Sequence, residues 1–140
     1  MVQLLLVVGS SIFVLLGGAH GVLTLRDLSN PCSFTPRDPE LRAAMQKSAI
    51  AFHPKVNLWR AWLGFNLSHS LGLVMFGGAF LYLGIFQPFL FSRSILLQGC
   101  SILVSAAYLV MSLKFWFSKP AIGSGIAMMC FVLAAALSYA

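Results

Sequence analysis

Residues 57–72, "NLWRAWLGFNLSHSLG", place Arg60, Asn66, His69 and Ser70 at the head of a stretch that then runs apolar to Leu83. Trp62, Asn66, His69 and Leu73 follow a three-four spacing and so share one helical face, with Ser70 close beside it. His20 stands in an earlier apolar stretch, next to Gly21. An imidazole in such surroundings moves a proton, ligates iron or holds a polar head group, and a carboxamide orients it. Ionisable groups inside a membrane are costly, which makes a functional site the first hypothesis for them.

Three readings of this cluster stay open. Asn66, His69 and Ser70 serve as interhelical hydrogen-bonding glue, at about 0.6 to 2 kcal/mol per bond. Alternatively, His69, Asn66 and His20 line a small-molecule site open toward the cytoplasm, with Arg60 at its mouth and a lipid-like or quinone-like ligand, either bound only or turned over by an isomerase or reductase with His69 as its single base. In the third, His20 and His69 ligate haem b from opposite sides of one iron. Depth bears on whether the two histidines meet. At ~1.5 Å per residue His69 lies about 13 Å past Arg60 and His20 about 7 Å before Leu25, near one another without being level.

Conventional enzyme chemistry finds little to use. Asp27, Asp38 and Glu40 are the three carboxylates, all in or beside one loop, so no intramembrane acid is at hand to work with the histidines. HxxxH metal spacing, a Ser/His/Asp set and a glycine-rich phosphate loop are all missing. The three cysteines form no CxxC, and Cys100 and Cys130 read as small apolar side chains in separate spans.

The elements that must position the cluster are membrane helices. With 59% hydrophobic and 9% charged residues, the 140-residue chain is no water-soluble globule. Four apolar stretches, 2–25, 60–83, 95–117 and 122–139, each reach the ~20 residues that cross a hydrocarbon core. The expected fold is therefore all-α, a single transmembrane four-helix bundle. The small residues at Gly17 to Ala19 mimic a signal-peptide cleavage site, but the head "MVQ" lacks a basic residue, and the stretch is read as a retained span.

With alternating spans, Arg26, Arg37, Arg42, Lys47, Lys55, Arg60, Lys114 and Lys119 fall on one side and Arg93 alone on the other. The positive-inside bias then puts loop 26–59 in the cytoplasm and both termini on the non-cytoplasmic face. Net charge +6 is explained by topology and anionic lipid, and no nucleic-acid partner is expected.

Inside loop 26–59, Asp38 caps a helix that starts at Pro39. Leu41, Met45, Ala49 and Phe52 line one of its faces before His53 and Pro54 end it, which predicts an amphipathic interfacial helix. On the second span Gly64, Ser68 and Gly72 form a small-xxx-small stripe, and Gly9, Phe13, Gly17 and Gly21 recur every four residues on the first. The two spans are expected to pack through these faces. "SKP" at Ser118 to Pro120 makes the last two spans antiparallel neighbours. Trp59, Trp62 and Trp116 fall where aromatic belts lie.

The motifs "LLGGAHG", "FTPRDPEL" and "LWRAWLGFNLSHSLG" resemble an uncharacterised family of small bacterial four-helix integral membrane proteins. The resemblance implies a bacterial inner-membrane protein with His20, Arg60, Asn66 and His69 in its polar motif, and implies no activity. The architecture is more loosely similar to the DoxX-like membrane proteins. The function expected is that of a non-catalytic accessory or structural component, in contact with lipid and with other membrane subunits or further copies of itself.

Overall fold

The computed structural model describes residues 1–51 and 53–139. Four helices are long and apolar enough to cross a membrane: α1 (Val2–Ser29), α3 (Leu58–Phe86), α5 (Ile95–Phe115) and α6 (Ser118–Leu137). Between them lie the short α2 (Pro39–Lys47), the strands β1 (Ala49–Ile50) and β2 (His53–Asn57), and α4 (Pro88–Arg93). A backbone in hydrocarbon must satisfy its own N–H and C=O groups, and long helices do so within each segment. The fold is an all-α, multi-pass membrane architecture.

Unlike a water-soluble bundle, this one turns many large apolar side chains outward and buries several polar ones beside its apolar core. Leu15, Leu71 and Leu103 are 61 to 71% exposed, whereas Ser10, Asn66, Ser101, Ser105 and Ser124 are at most 2% exposed. Outward leucines suit lipid, and small inward residues let backbones approach. On α3 the buried positions are Trp59, Leu63, Asn66, Ser70, Leu73, Gly77, Phe80 and Gly84. Their alternating spacing of four and three is the seam spacing of helices packed side by side.

The chain divides into two compact units. The first comprises Met1–Leu16 and Leu73–Ala140 and is a four-helix bundle. Its core holds Leu6, Phe13, Leu73, Phe80, Phe91, Ala127, Phe131 and Ala134. Phe13 meets Phe76 edge-on at 4.9 Å and Tyr108 at 5.6 Å between centroids. Gly77 is the tightest approach: a Cβ there would sit 2.8 Å from the Ser10 oxygen and the Val14 nitrogen. Buried serines return their hydroxyls to their own helix, as Ser105 does to the Ser101 carbonyl at 2.6 Å. Ser94 caps α5 by accepting from the Leu97 N–H at 3.3 Å. Gln98 donates to the carbonyls of Phe91 and Ser92, both at 3.1 Å, and accepts from the Tyr139 hydroxyl at 2.8 Å.

The second unit, Gly17–Gly72, joins the end of α1 to the start of α3. As expected, Asp38 caps α2, accepting from the Glu40 N–H at 2.8 Å, with Pro39 in the first turn. The helix is shorter than its apolar spacing predicts. It stops at Lys47, Ser48 is extended, and Ala49 belongs to β1, which pairs antiparallel with β2. A helix of nine residues with no buried side chain is held mainly by its cap and by Arg42 against Trp59, which gives its last turn little support. The β-branched Ile50 and Val56 favour the ladder that replaces it. Phe52, assigned to the same helical face, lies outside the described residues. At the far end of the hairpin Asn57 accepts from the Arg60 N–H at 2.8 Å and so caps α3.

The packing stripe on α3 is also corrected. Gly64, Ser68 and Gly72 are exposed, and a Cβ on Gly64 would meet nothing within 4 Å. These positions lie off the four-three seam and face away from the neighbouring helices. The close approaches to α1 are made by Ser70, against Gly21, and by Gly77 and Gly84, against residues 6–14. On α1, Gly17 is buried, and Gly9 meets Cys130 of α6, where a Cβ would come within 3.1 Å of the cysteine Cβ.

Candidate functional site

The polar cluster lies within the second unit. His20 of α1 and Asn66 of α3 meet, with Nε2 of the ring 3.0 Å from Oδ1 of the carboxamide. Asn66 Nδ2 donates to the carbonyl of Trp62, one turn back, at 2.8 Å. That second bond fixes the amide, because a flipped carboxamide would set two carbonyl oxygens against each other. Oδ1 therefore accepts, and His20 Nε2 carries the proton that it donates. Ser70 donates to the Asn66 carbonyl and Thr24 to the His20 carbonyl, both at 2.9 Å. Asn66 is 1% exposed and Ser70 5%.

His69 joins the same group. Its ring lies edge-on to that of His20 at 5.3 Å and stacks beside Phe65 at 6.3 Å. The two histidines that differed in sequence-estimated depth thus touch. Bis-histidine haem ligation needs the imidazoles on opposite sides of one iron. Rings in edge contact, with His20 Nε2 given to Asn66, form a different arrangement. Among the described residues no three His, Cys, Asp or Glu side chains gather as a metal site.

The structure adds a roof that sequence reasoning missed. Asp27, at the end of α1 and 1% exposed, accepts from the backbone N–H groups of Cys32, Ser33 and Phe34 at 2.9, 2.8 and 2.6 Å. The Thr35 hydroxyl adds a fourth bond at 3.3 Å. Trp62 Nε1 donates to the Phe34 carbonyl at 2.9 Å, so the same loop is tied to α3. The result is that the Phe34 ring rests on His20, with centroids 4.3 Å apart. A carboxylate five to eight residues before a run of donors was the available signal, though it acts only once the loop curls around it.

Arg60, placed at the mouth of a cytoplasmic opening, is exposed on the first turn of α3 and bonded through its backbone to Asn57. Of the candidate residues, His20, Asn66, His69 and Ser70 come together. Cys32 and Cys100 are exposed and Cys130 is buried, all as free thiols. In comparisons with family models, curated proteins and solved structures, nothing matched this chain.

Proposed function

We propose that this chain is a non-catalytic component of a bacterial inner-membrane assembly, working as an accessory subunit or as a homo-oligomer. In this reading His20, Asn66, His69 and Ser70 clamp α1 to α3. The observation that carries it is that both ends of the Asn66 carboxamide are engaged inside the helix pair, one by His20 and the other by the Trp62 carbonyl. The contact of Phe34 with His20 supports it further, because it covers the imidazole that a small-molecule site would present. The resemblance of its three motifs to small bacterial membrane proteins supports the location.

Both termini lie on the non-cytoplasmic side, on the strength of the basic residues in residues 26–59. The exposed Cys32 thiol reports on this, since a membrane-impermeant maleimide should reach it only from the cytoplasmic face.

The functional test is a native mass spectrum with an absorption spectrum of the protein extracted gently from its own membrane, beside His69→Ala. Wild-type protein carrying partner subunits or further copies, with no chromophore, supports the accessory role. A Soret band or a stoichiometric small molecule that disappears in His69→Ala contradicts it and returns the histidines to ligand binding.

A further inference from the structure

A surface concavity lies in the same unit, lined by none of the histidines. It is an open groove of about 380 Å³ between the loop residues Pro31, Thr35, Pro36 and Arg37 and one face of α2. That size falls in the lower part of the ~300 to 1,000 Å³ range of small-ligand clefts. The α2 face is the i, i+3, i+4, i+7 set of Pro39, Arg42, Ala43 and Gln46. Arg37 and Arg42 therefore both line the groove, and among the described residues no carboxylate lines it. The neighbouring acids are accounted for: Asp38 is the cap of α2, Glu40 lies off the lining, and Asp27 is held by the loop's own donors.

Arg42 supplies the observation that points to a ligand. Its guanidinium carbon lies over the buried Trp59 ring, 5.5 Å from the centroid. Its Nε is buried, with no hydrogen-bond partner among the described residues. A cationic N–H withdrawn from water with no acceptor is costly, more so than a neutral one. Stacking on the indole fixes the plane of the fork while leaving Nε without an acceptor among the described residues.

We propose that this groove binds a phosphate group, gripped by the guanidinium groups of Arg42 and Arg37 with the Gln46 carboxamide alongside. Planar guanidinium forks match phosphate oxygens two at a time, and the pairing is charge-assisted. The phosphate comes either from an anionic lipid headgroup at the membrane surface or from free inorganic phosphate. Loss of one such pairing weakens binding about tenfold or more.

The test uses the full chain in maltoside micelles, which contain no phosphorus. It is titrated in separate arms with sodium phosphate and with phosphatidic acid doped into the micelles, with matched sodium chloride as the ionic-strength control. Tryptophan fluorescence follows Trp59 together with Trp62 and Trp116, and native mass spectrometry counts adducts. Wild type should saturate at one site, Arg42→Gln and Arg37→Gln should each lose about tenfold in affinity, and Arg42→Lys should recover only part of it. Saturation by sodium phosphate identifies the free anion as ligand, and saturation by phosphatidic acid alone identifies the headgroup. Because Arg37 is exposed and has no described side-chain partner, Arg37→Gln serves as the variant that leaves the fold intact. Binding that does not saturate, or that is equal in wild type and Arg37→Gln, overturns the proposal.

Discussion

His20 on the first span and Asn66 on the second are joined by a 3.0 Å hydrogen bond whose direction is set by a third residue, Trp62. Because the Trp62 carbonyl takes the amide nitrogen, the amide oxygen is left to accept from the imidazole. The Nε2 of a histidine inside an apolar helix is thereby satisfied by a neutral partner. That explains how a costly residue is tolerated here.

Asp27 organises the loop over this pair, and its replacement should be graded. Asp27→Ala removes every acceptor and should speed hydrogen exchange at the amides of Cys32, Ser33 and Phe34 together. Asp27→Asn keeps one oxygen and should mainly expose whichever amide then faces the NH2 group. The unsatisfied groups cost about 1 to 3 kcal/mol. Unchanged exchange in Asp27→Ala would show that the loop holds itself.

Glycine positions on α3 should divide sharply. Gly77→Ala forces a methyl to within 2.8 Å of backbone atoms of α1 and should cost about 1 to 3 kcal/mol in detergent unfolding. Gly64→Ala meets open space and should be neutral, or stabilising by up to about 1 kcal/mol through helix propensity. Equal losses at both sites would mean that the exposed stripe is buried against a second chain.

The difference between those glycines shows what the sequence carried and what it did not. Apolar length alone located the four spans, and Asp38 with Pro39 located the start of α2, because both signals are local. Three-four spacing put Asn66 and His69 on one face, but it could not say which face of α3 meets α1. Gly64, Ser68 and Gly72 formed one small stripe, whereas the seam from Trp59 to Gly84 mixes large, small and polar residues. Only the alternation of spacing ties that seam together. Asp27 was legible merely as a loop carboxylate, since its role depends on four donors that the chain delivers only after it turns. The end of α2 was misplaced because Ala49 and Ile50 leave the helix to pair with Asn57 and His53, a non-local choice that overrides a weak amphipathic pattern.

Gln98 ties α5 to α4 and to Tyr139. Tyr139→Phe leaves one Gln98 oxygen without its donor and should cost about 1 kcal/mol. Gln98→Leu strips the acceptor from Tyr139 and the donor from two carbonyls, and should cost about 2 to 3 kcal/mol with faster hydrogen exchange across α4. If the two variants unfold at the same temperature, the Gln98 amide donates nothing to stability.

The most direct measurement of the clamp is a double-mutant cycle on His20→Ala and Asn66→Ala, with unfolding free energies taken in one lipid-detergent mixture and fold checked by circular dichroism. A structural bond between the two predicts a favourable coupling of about 0.6 kcal/mol and up to about 1.7 kcal/mol, the span seen for hydrogen bonds between membrane helices. Additive losses, with no coupling, would contradict the clamp and leave His20 and Asn66 as two independent groups held for a ligand.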